Sequence, residues 1–137
     1  MRRIKEILTE ELLDLIEDKN TKIIDTRPVD AYNGRKLKNE PRGGHIPSAK
    51  SLPAKWAEYI DWIEMVRAKG IHPEHQIVVY GYDSQQAEDV ILRFLNAGYE
   101  KILHYNQFLN EWSPNEALPM DHLENHHQLV YASWVKD

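Results

Sequence analysis

Short apolar runs alternate along the chain with longer stretches in which apolar residues recur every three or four positions. The runs occupy residues 21–25, 49–52, 77–80 and 101–105, and the third is β-branched and apolar throughout. Such runs favour buried strands, whereas the longer spacing favours amphipathic helices. Strands that alternate with helices predict an α/β domain of three layers, in which helices cover both faces of a central, mainly parallel sheet.

Several helical segments are predicted between these strands and on either side of them. Thr9 is the expected N-cap of the first, because Glu10 and Glu11 suit its first turn. Gly70 and Gly98 are the expected stops of the two longest segments. The predicted segments are residues 9–18, a short one within residues 27–32, residues 54–70, residues 84–98 and residues 108–112.

Two stretches follow neither pattern. Residues 33–44 are polar, basic and rich in glycine, which predicts a long exposed loop, either solvated or serving as a basic docking patch. Near the C-terminus, a polar linker with prolines precedes a new apolar pattern from Gln128. We therefore predict one domain over residues 1–118, and a linker with the start of a following, truncated domain over residues 119–137. A terminal strand that docks on the first domain is the alternative.

The third apolar run and the helix after it enclose a tight loop. Backbone N–H groups at the start of that helix favour anions. Gly81 stands at the head of the loop, where an enzyme would place a nucleophile. Asp83 or Ser84 would either attack a phosphate or acyl group or cap the helix, and the cap is the commoner role. Only His45 or His104 can be suggested as a base for Ser84, and neither is indicated by spacing.

Charge and hydropathy exclude several classes of protein. The chain has 137 residues, 17 Lys and Arg against 22 Asp and Glu, and a net charge of −5. A nucleic-acid binder is normally basic, so none is expected. No apolar run approaches the roughly 18 residues of a membrane-spanning helix, and acidic residues interrupt the N-terminus before a signal-peptide core can form. The predicted location is the cytoplasm, with a targeting segment missing from this chain as the alternative.

The residues that bind metals and cofactors are few. The chain has no cysteine, which excludes disulfides, thiolate metal sites and cysteine nucleophiles. His122 and His126 have the spacing to hold Zn²⁺ on a helical face, but histidines in an acidic linker are usually solvated, so no metal is predicted. Trp56, Tyr59 and Trp62 are expected to pack in the core or against another domain, and no cofactor is predicted.

Three stretches resemble motifs of the rhodanese (thiosulfate sulfurtransferase) family. IIDTRPVDAY, residues 23–32, resembles its Asp-x-Arg signature. GGHIPSAKSLP, residues 43–53, resembles its Gly-His-Ile-Pro-Gly-Ala signature, with Ser48 where glycine is usual. Residues 77–112 resemble its active-site strand, loop and helix and the segment that follows them. The resemblance extends over about residues 7–118 and implies the rhodanese fold.

Within this resemblance, Asp25, Arg27, Gly44, His45 and Pro47 belong to the family motifs. We assign them structural roles. An Asp and an Arg at a strand end usually tie neighbouring loops by an ion pair and hydrogen bonds; a catalytic acid and cation are the alternative. A histidine just before a turn-fixing proline is more often hydrogen-bonded than a general base.

The resemblance also bears on the tight loop. In active family members a cysteine follows the strand and carries the sulfane sulfur as a persulfide, and an arginine at the sixth loop position often holds the anionic donor. Alignment places Gly81 at the cysteine position and Gln86 at the arginine position. The resemblance therefore implies a vestigial loop with no catalytic residue. It consists of Gly81, Tyr82, Asp83, Ser84, Gln85 and Gln86.

Two functions stay open at this point. The chain is either a non-catalytic structural or regulatory domain of a larger thiosulfate sulfurtransferase, or a stand-alone module that recognises an anion or a protein through the vestigial loop. The insertion at residues 32–47 and the tail from Gln128 resemble tandem members of the family. In the first case the partner is another rhodanese domain of the same chain, whose cysteine does the chemistry. In the second, any small anion binds weakly, since no arginine is present.

Overall fold

Five strands form one sheet in the part of the chain that the computed structural model describes, residues 4–121. In chain order they are β1 (Lys5–Glu6), β2 (Thr21–Asp25), β3 (Lys50–Ser51), β4 (Gln76–Tyr80) and β5 (Ile102–Tyr105). Their order in the sheet is β1-β5-β4-β2-β3, and every neighbouring pair is parallel. The predicted α/β fold with a central parallel sheet is confirmed.

Helical segments connect these strands, as parallel pairing requires, and one more follows β5. Four are α-helices, one is a 3₁₀ helix and one is a π-helix within the described residues. They are α1 (Thr9–Leu15), α2 (Val29–Asn33), the 3₁₀ helix (Ala54–Glu58), α3 (Trp62–Ala68), α4 (Ser84–Asn96) and the π-helix (Phe108–Trp112).

Two apolar cores lie on opposite faces of the sheet, because successive strand side chains point to opposite sides. Ile24 and Val79 pack with α3, α4 and the 3₁₀ helix. Their neighbours Ile23 and Val78 pack with α1 and the π-helix. Helices therefore cover both faces, which gives the three layers that the pattern predicts.

The first helix differs from its prediction at both ends. Thr9 is the first residue of α1 rather than its N-cap, which is Leu8. The Glu11 carboxylate accepts a hydrogen bond from the Leu8 N–H (2.7 Å), while the Thr9 hydroxyl lies 2.6 Å from that of Tyr105. The Thr9 hydroxyl thus makes a tertiary contact instead of capping the helix. α1 also ends before Asp18, whose carboxylate accepts hydrogen bonds within the turn that leads to β2.

The prediction of one helix over residues 54–70 is wrong, because a break separates the 3₁₀ helix from α3. Tyr59 is extended at this break (φ −76°, ψ 141°), and its carbonyl oxygen accepts a hydrogen bond from the Arg93 guanidinium (3.1 Å). The change of direction leaves Ile60 99% exposed and brings Trp62 to 1% exposure. Of the three aromatic residues noted in this segment, Trp62 is buried, Trp56 is partly buried and Tyr59 is 46% exposed.

The predicted exposed loop over residues 33–44 is tied to the rest of the domain. Glu40 is only 4% exposed, and the Arg42 guanidinium donates hydrogen bonds to three carbonyl oxygens of the segment 112–118. The expectation of a solvated loop or a free basic patch is therefore wrong for Glu40 and Arg42.

The chain stays in contact with the domain a little beyond residue 118. The Pro119 carbonyl oxygen accepts a hydrogen bond from the Trp112 indole N–H (2.8 Å). Asp121 and His45 exchange two backbone hydrogen bonds in an antiparallel bridge. The rest of the predicted linker, and the predicted start of a following domain, lie outside the described residues.

Candidate functional site

The vestigial loop lies at the carboxyl end of β4, the middle strand of the sheet. Only Gly81, Tyr82 and Asp83 form the turn, because α4 already begins at Ser84. Ser84, Gln85 and Gln86 make up its first turn. Ligands of open α/β sheets bind outside the carboxyl ends of the strands, so the loop is in the position of an active site.

Position 81 has no room for a side chain beside Thr26. A Cβ atom built on Gly81 would lie 2.2 Å from Thr26 Oγ1, well inside van der Waals contact. The Thr26 hydroxyl donates a hydrogen bond to the Tyr80 carbonyl oxygen (3.1 Å), which holds it in this place. The space that a nucleophile would need is therefore filled.

Asp83 caps α4. Its Oδ1 accepts a hydrogen bond from the Gln86 backbone N–H (2.9 Å), so the role that the sequence left open between Asp83 and Ser84 belongs to Asp83. The carboxylate uses one of the donors that would face an anion, and it adds a negative charge at the positive end of the helix. Both effects oppose anion binding in front of α4.

A cleft of about 350 Å³ opens beside the vestigial loop. Its polar side chains belong to Thr26, Lys55 and Gln86, and its apolar walls are formed by Pro28, Val29, Pro53, Ala54 and Trp56. Gln86 thus lies at the cleft, but it brings an uncharged amide. The cleft can admit a small molecule, although Gln86 lacks the fork of charged donors with which an arginine holds an oxyanion.

Asp25 and Arg27 form a fully buried ion pair behind the loop. Arg27 Nε lies 3.0 Å from Asp25 Oδ1, and Nη2 lies 2.6 Å from Oδ2; Nη2 also donates to the Gly44 carbonyl oxygen. Burial alone would lower the pKa of Arg27, but the hydrogen bonds and charge of Asp25 raise it above its ordinary value. The Tyr80 hydroxyl donates to Asp25 Oδ2 (2.8 Å), and burial, then the Asp25 charge, raise the pKa of Tyr80 well above its ordinary value.

Tyr82 connects the vestigial loop to this cluster. Its hydroxyl donates a hydrogen bond to the Glu40 carboxylate, which lies 3.6 Å from Arg27 Nη1. Burial and the bond to Glu40 raise the pKa of Tyr82 to about 12. Arg27 and its acidic partners therefore hold the insertion and the vestigial loop together, and none of these groups faces the cleft as a free acid or base.

The second family motif is also structural in its contacts. His45 Nδ1 lies 2.8 Å from the Tyr32 carbonyl oxygen, and the two rings stack with centroids 3.8 Å apart. Gly44 has a φ of 111°, and Ser48, after the partly buried Pro47, has a φ of 72°. Ser48 thus adopts the left-handed conformation that glycine accepts most easily, which explains why glycine is usual at this place in the motif.

The other candidate sites find no support among the described residues. Ser84 makes no hydrogen bond with His45 or His104 in residues 4–121. No three acidic or histidine side chains in that range could hold a metal ion, and the pair His122 and His126 lies outside it. Nor does any helix of the described chain have the length and hydrophobicity to cross a bilayer.

Two contributors to the site were not identified from the sequence. Thr26 stands between the motif residues Asp25 and Arg27. No signal in the sequence shows that its side chain packs against position 81. Glu40 lies in a stretch of polar and basic residues, where nothing marks one carboxylate as buried.

The match to the rhodanese-like domain family extends over residues 8–115, and the chain belongs to this family. Its sheet, its Asp-x-Arg pair and its strand–loop–helix turn are therefore those of a rhodanese-like domain, as the motifs indicated.

The chain is similar to a curated thiosulfate sulfurtransferase and to solved structures of EanB, all of which are much longer. The thiosulfate sulfurtransferase YnjE of Escherichia coli (strain K12) is 30% identical over 128 residues, which cover 91% of this chain and 28% of YnjE. The wild-type structure of EanB superimposes with a TM-score of 0.87 at 46% identity, over 90% of this chain and 28% of that chain. An EanB variant solved as a cysteine persulfide with ergothioneine gives a TM-score of 0.86 at 46% identity, over 88% and 29%. The chain spans less than a third of each.

Proposed function

We propose that this chain is a non-catalytic rhodanese-like domain of a larger, multi-domain sulfurtransferase of the thiosulfate type. The observation that carries the proposal is position 81, which holds glycine in a chain without any cysteine. Thr26 Oγ1 occupies the place of the missing side chain, 2.2 Å from a Cβ position. Without a thiolate no persulfide forms, so this domain has no group that could accept sulfane sulfur.

The relatives support the larger setting. Each is more than three times as long as the part that matches this chain, since that part covers 28% of YnjE and 29% of an EanB persulfide structure. A protein of that length has room for a catalytic domain elsewhere in its sequence. The partner of this domain is then another rhodanese-like domain of the same polypeptide, and its contribution is structural or regulatory.

The alternative, a module that binds an anion in the vestigial loop, has less support. Asp83 already accepts a hydrogen bond from the start of α4, and Gln86 brings no positive charge to the cleft, whose described lining has Lys55 as its one cation. A titration with sulfate followed by NMR is expected to leave the amides of residues 81–87 unchanged. Saturable shifts confined to these amides would favour the alternative.

The first prediction concerns activity. The purified chain, incubated with thiosulfate and cyanide, is expected to form thiocyanate only at the rate of the protein-free blank, because it contains no nucleophile for the transfer. The ferric thiocyanate colour measures this, with an active rhodanese as the positive control. Thiocyanate formation in proportion to the amount of the chain would contradict the proposal.

A second observation tests the multi-domain setting separately. The coding sequence downstream of codon 137 is expected to encode a further rhodanese repeat with cysteine and arginine in its loop. An unrelated domain, or a stop codon, would contradict the proposal that the chain is part of a larger sulfurtransferase. It would not change the expectation that the chain itself is inactive.

A further inference from the structure

A second cavity lies at the edge of the sheet, away from the vestigial loop. It has a volume of about 260 Å³ and opens between β1, β5 and α4. It shares no residue with the loop or with the cleft beside it. Its lining consists of Ile4, Glu6, Glu88, Ile91, Leu92 and His104.

His104 is the buried polar group of this cavity. It is 3% exposed, and its ring makes no hydrogen bond with any residue in the range 4–121; its Nδ1 lies 3.9 Å from Glu6 Oε2, beyond hydrogen-bonding distance. Burial lowers the pKa of His104, so the ring is neutral at pH 7 and offers one acceptor nitrogen and one donor. Within residues 4–121 the ring therefore has a nitrogen left for water or a ligand in the cavity.

The charge at the mouth of the cavity is negative. Glu6, with a side chain 61% exposed, and the exposed Glu88 both line it, and no lysine or arginine belongs to its described lining. The alternation of side chains along β1 places Lys5 on the other face of the sheet from Glu6. The remaining walls are aliphatic, and one of them, Leu92, is 56% exposed.

We propose that this cavity binds a small alkylammonium ion. The ammonium group would donate hydrogen bonds to Glu6, Glu88 and the acceptor nitrogen of His104, and the alkyl chain would lie against the aliphatic walls. An ammonium has three donors, which matches three acceptors. The volume is just below the range of about 300–1,000 Å³ typical of drug-sized ligands, so the alkyl chain is short. The two carboxylates exclude an anion, and the side chains do not form a metal site.

The test uses the complete 137-residue chain and n-butylammonium chloride, followed by NMR. Saturable shifts are expected for the ring of His104 and for the amides of residues 4–6, 88–92 and 102–104. Two matched probes separate the parts of the ligand: n-butanol has the alkyl chain without the charge, and ammonium chloride has the charge without the alkyl chain. Both are expected to bind more weakly than n-butylammonium.

Isosteric variants test the charges without changing the shape of the cavity. Glu6→Gln and Glu88→Gln are each expected to weaken binding about threefold to fivefold, as exposed ion pairs contribute modestly. Glu64→Gln, on an exposed residue of α3, is the control and should bind as the unchanged chain does. If n-butylammonium shifts the spectrum no more than ammonium chloride, or if both cavity variants bind as tightly as the control, the cavity holds water alone and the proposal is wrong. The test does not depend on whether the chain is part of a sulfurtransferase.

Discussion

At position 81, any side chain would displace the hydroxyl of Thr26 from its hydrogen bond with the Tyr80 carbonyl oxygen. Overpacking of this kind costs about 1–3 kcal/mol. We therefore expect Gly81→Cys to lower the free energy of unfolding by about 1–3 kcal/mol, measured by urea denaturation. The variant is also expected to show weak sulfurtransferase activity at best, since Gln86 cannot hold the donor as an arginine would.

Two further variants isolate the cause of this loss. Gly81→Ala adds the Cβ without the thiol and should destabilise the domain about as much as Gly81→Cys does. Thr26→Ala, combined with Gly81→Cys, removes the clashing hydroxyl and should recover part of the loss. If the losses of unfolding free energy from Thr26→Ala and Gly81→Cys simply added in the double variant, Thr26 would not be what clashes with a side chain at position 81.

Tyr82 gives the domain a dependence on alkaline pH. Its pKa is raised from 10.0 to about 12, by burial and by the hydrogen bond to Glu40. The folded chain thus keeps this proton to a higher pH than the unfolded chain, so the contribution is complete below pH 10 and is lost as the pH rises through about 12. Tyr82→Phe should therefore reduce the fall in unfolding free energy across this interval, measured by urea denaturation at several pH values.

The control for this prediction is Tyr59→Phe, because the Tyr59 side chain is 46% exposed. The alkaline loss of Tyr82→Phe is compared with that of this variant. Tyr105, whose pKa burial also raises to about 12, keeps part of the alkaline loss in both variants. An alkaline loss as steep in Tyr82→Phe as in the control would show that Tyr82 does not contribute.

Among the elements, α4 depends on its N-cap. The Asp83 carboxylate accepts the Gln86 N–H, and loss of such a cap costs about 1 kcal/mol. Asp83→Ala is expected to lower the free energy of unfolding by that amount, measured by urea denaturation. Ser84→Ala, one residue later, is the matched control and should cost less. If both substitutions lowered the free energy of unfolding equally, the assignment of the cap to Asp83 alone would be wrong.

Elements with local signals could be predicted from the sequence, and elements that depend on distant contacts could not. α4 has a capping residue, a regular apolar stripe and Gly98 after its end with a φ of 96°, so its bounds follow from nearby residues. At the break, the Tyr59 carbonyl oxygen accepts a hydrogen bond from Arg93, which is 34 residues away. β1 has only two residues, both charged and exposed, and it is recognised as a strand only by its pairing with β5, which is distant in the sequence.

The same division applies to the candidate site. The missing cysteine and arginine positions could be found from the motif alone, as could the Asp25 and Arg27 pair. Thr26 fills the space beside position 81, and Glu40 is buried, because of how three separate segments pack. Neither contact can be predicted from the residue type. A threonine and a glutamate in polar surroundings are usually exposed.

At the scale of the whole molecule, Arg27 joins four parts of the fold. It pairs with Asp25 at the end of β2 and with Glu40 of the insertion. Its guanidinium carbon lies 5.1 Å from the ring centroid of Tyr82 in the vestigial loop and 4.4 Å from that of Phe108 in the π-helix. The Arg27 side chain thus connects the segments that surround the vestigial loop.

Arg27→Met is therefore expected to be the most damaging of these substitutions. It leaves the carboxylates of Asp25 and Glu40 buried without their cation, and breaking a buried pair in this way costs about 3–5 kcal/mol. The matched control is Arg35→Met, because Arg35 pairs with Asp30 at 3.7 Å with both side chains mostly exposed (71% and 66%); such pairs contribute about 0–1 kcal/mol. Urea denaturation of both variants measures the difference. Arg27→Lys should fall between them, since it keeps the charge but loses the two-pronged geometry. If Arg27→Met cost no more than Arg35→Met, the buried cluster would not be what holds the vestigial loop and the insertion together.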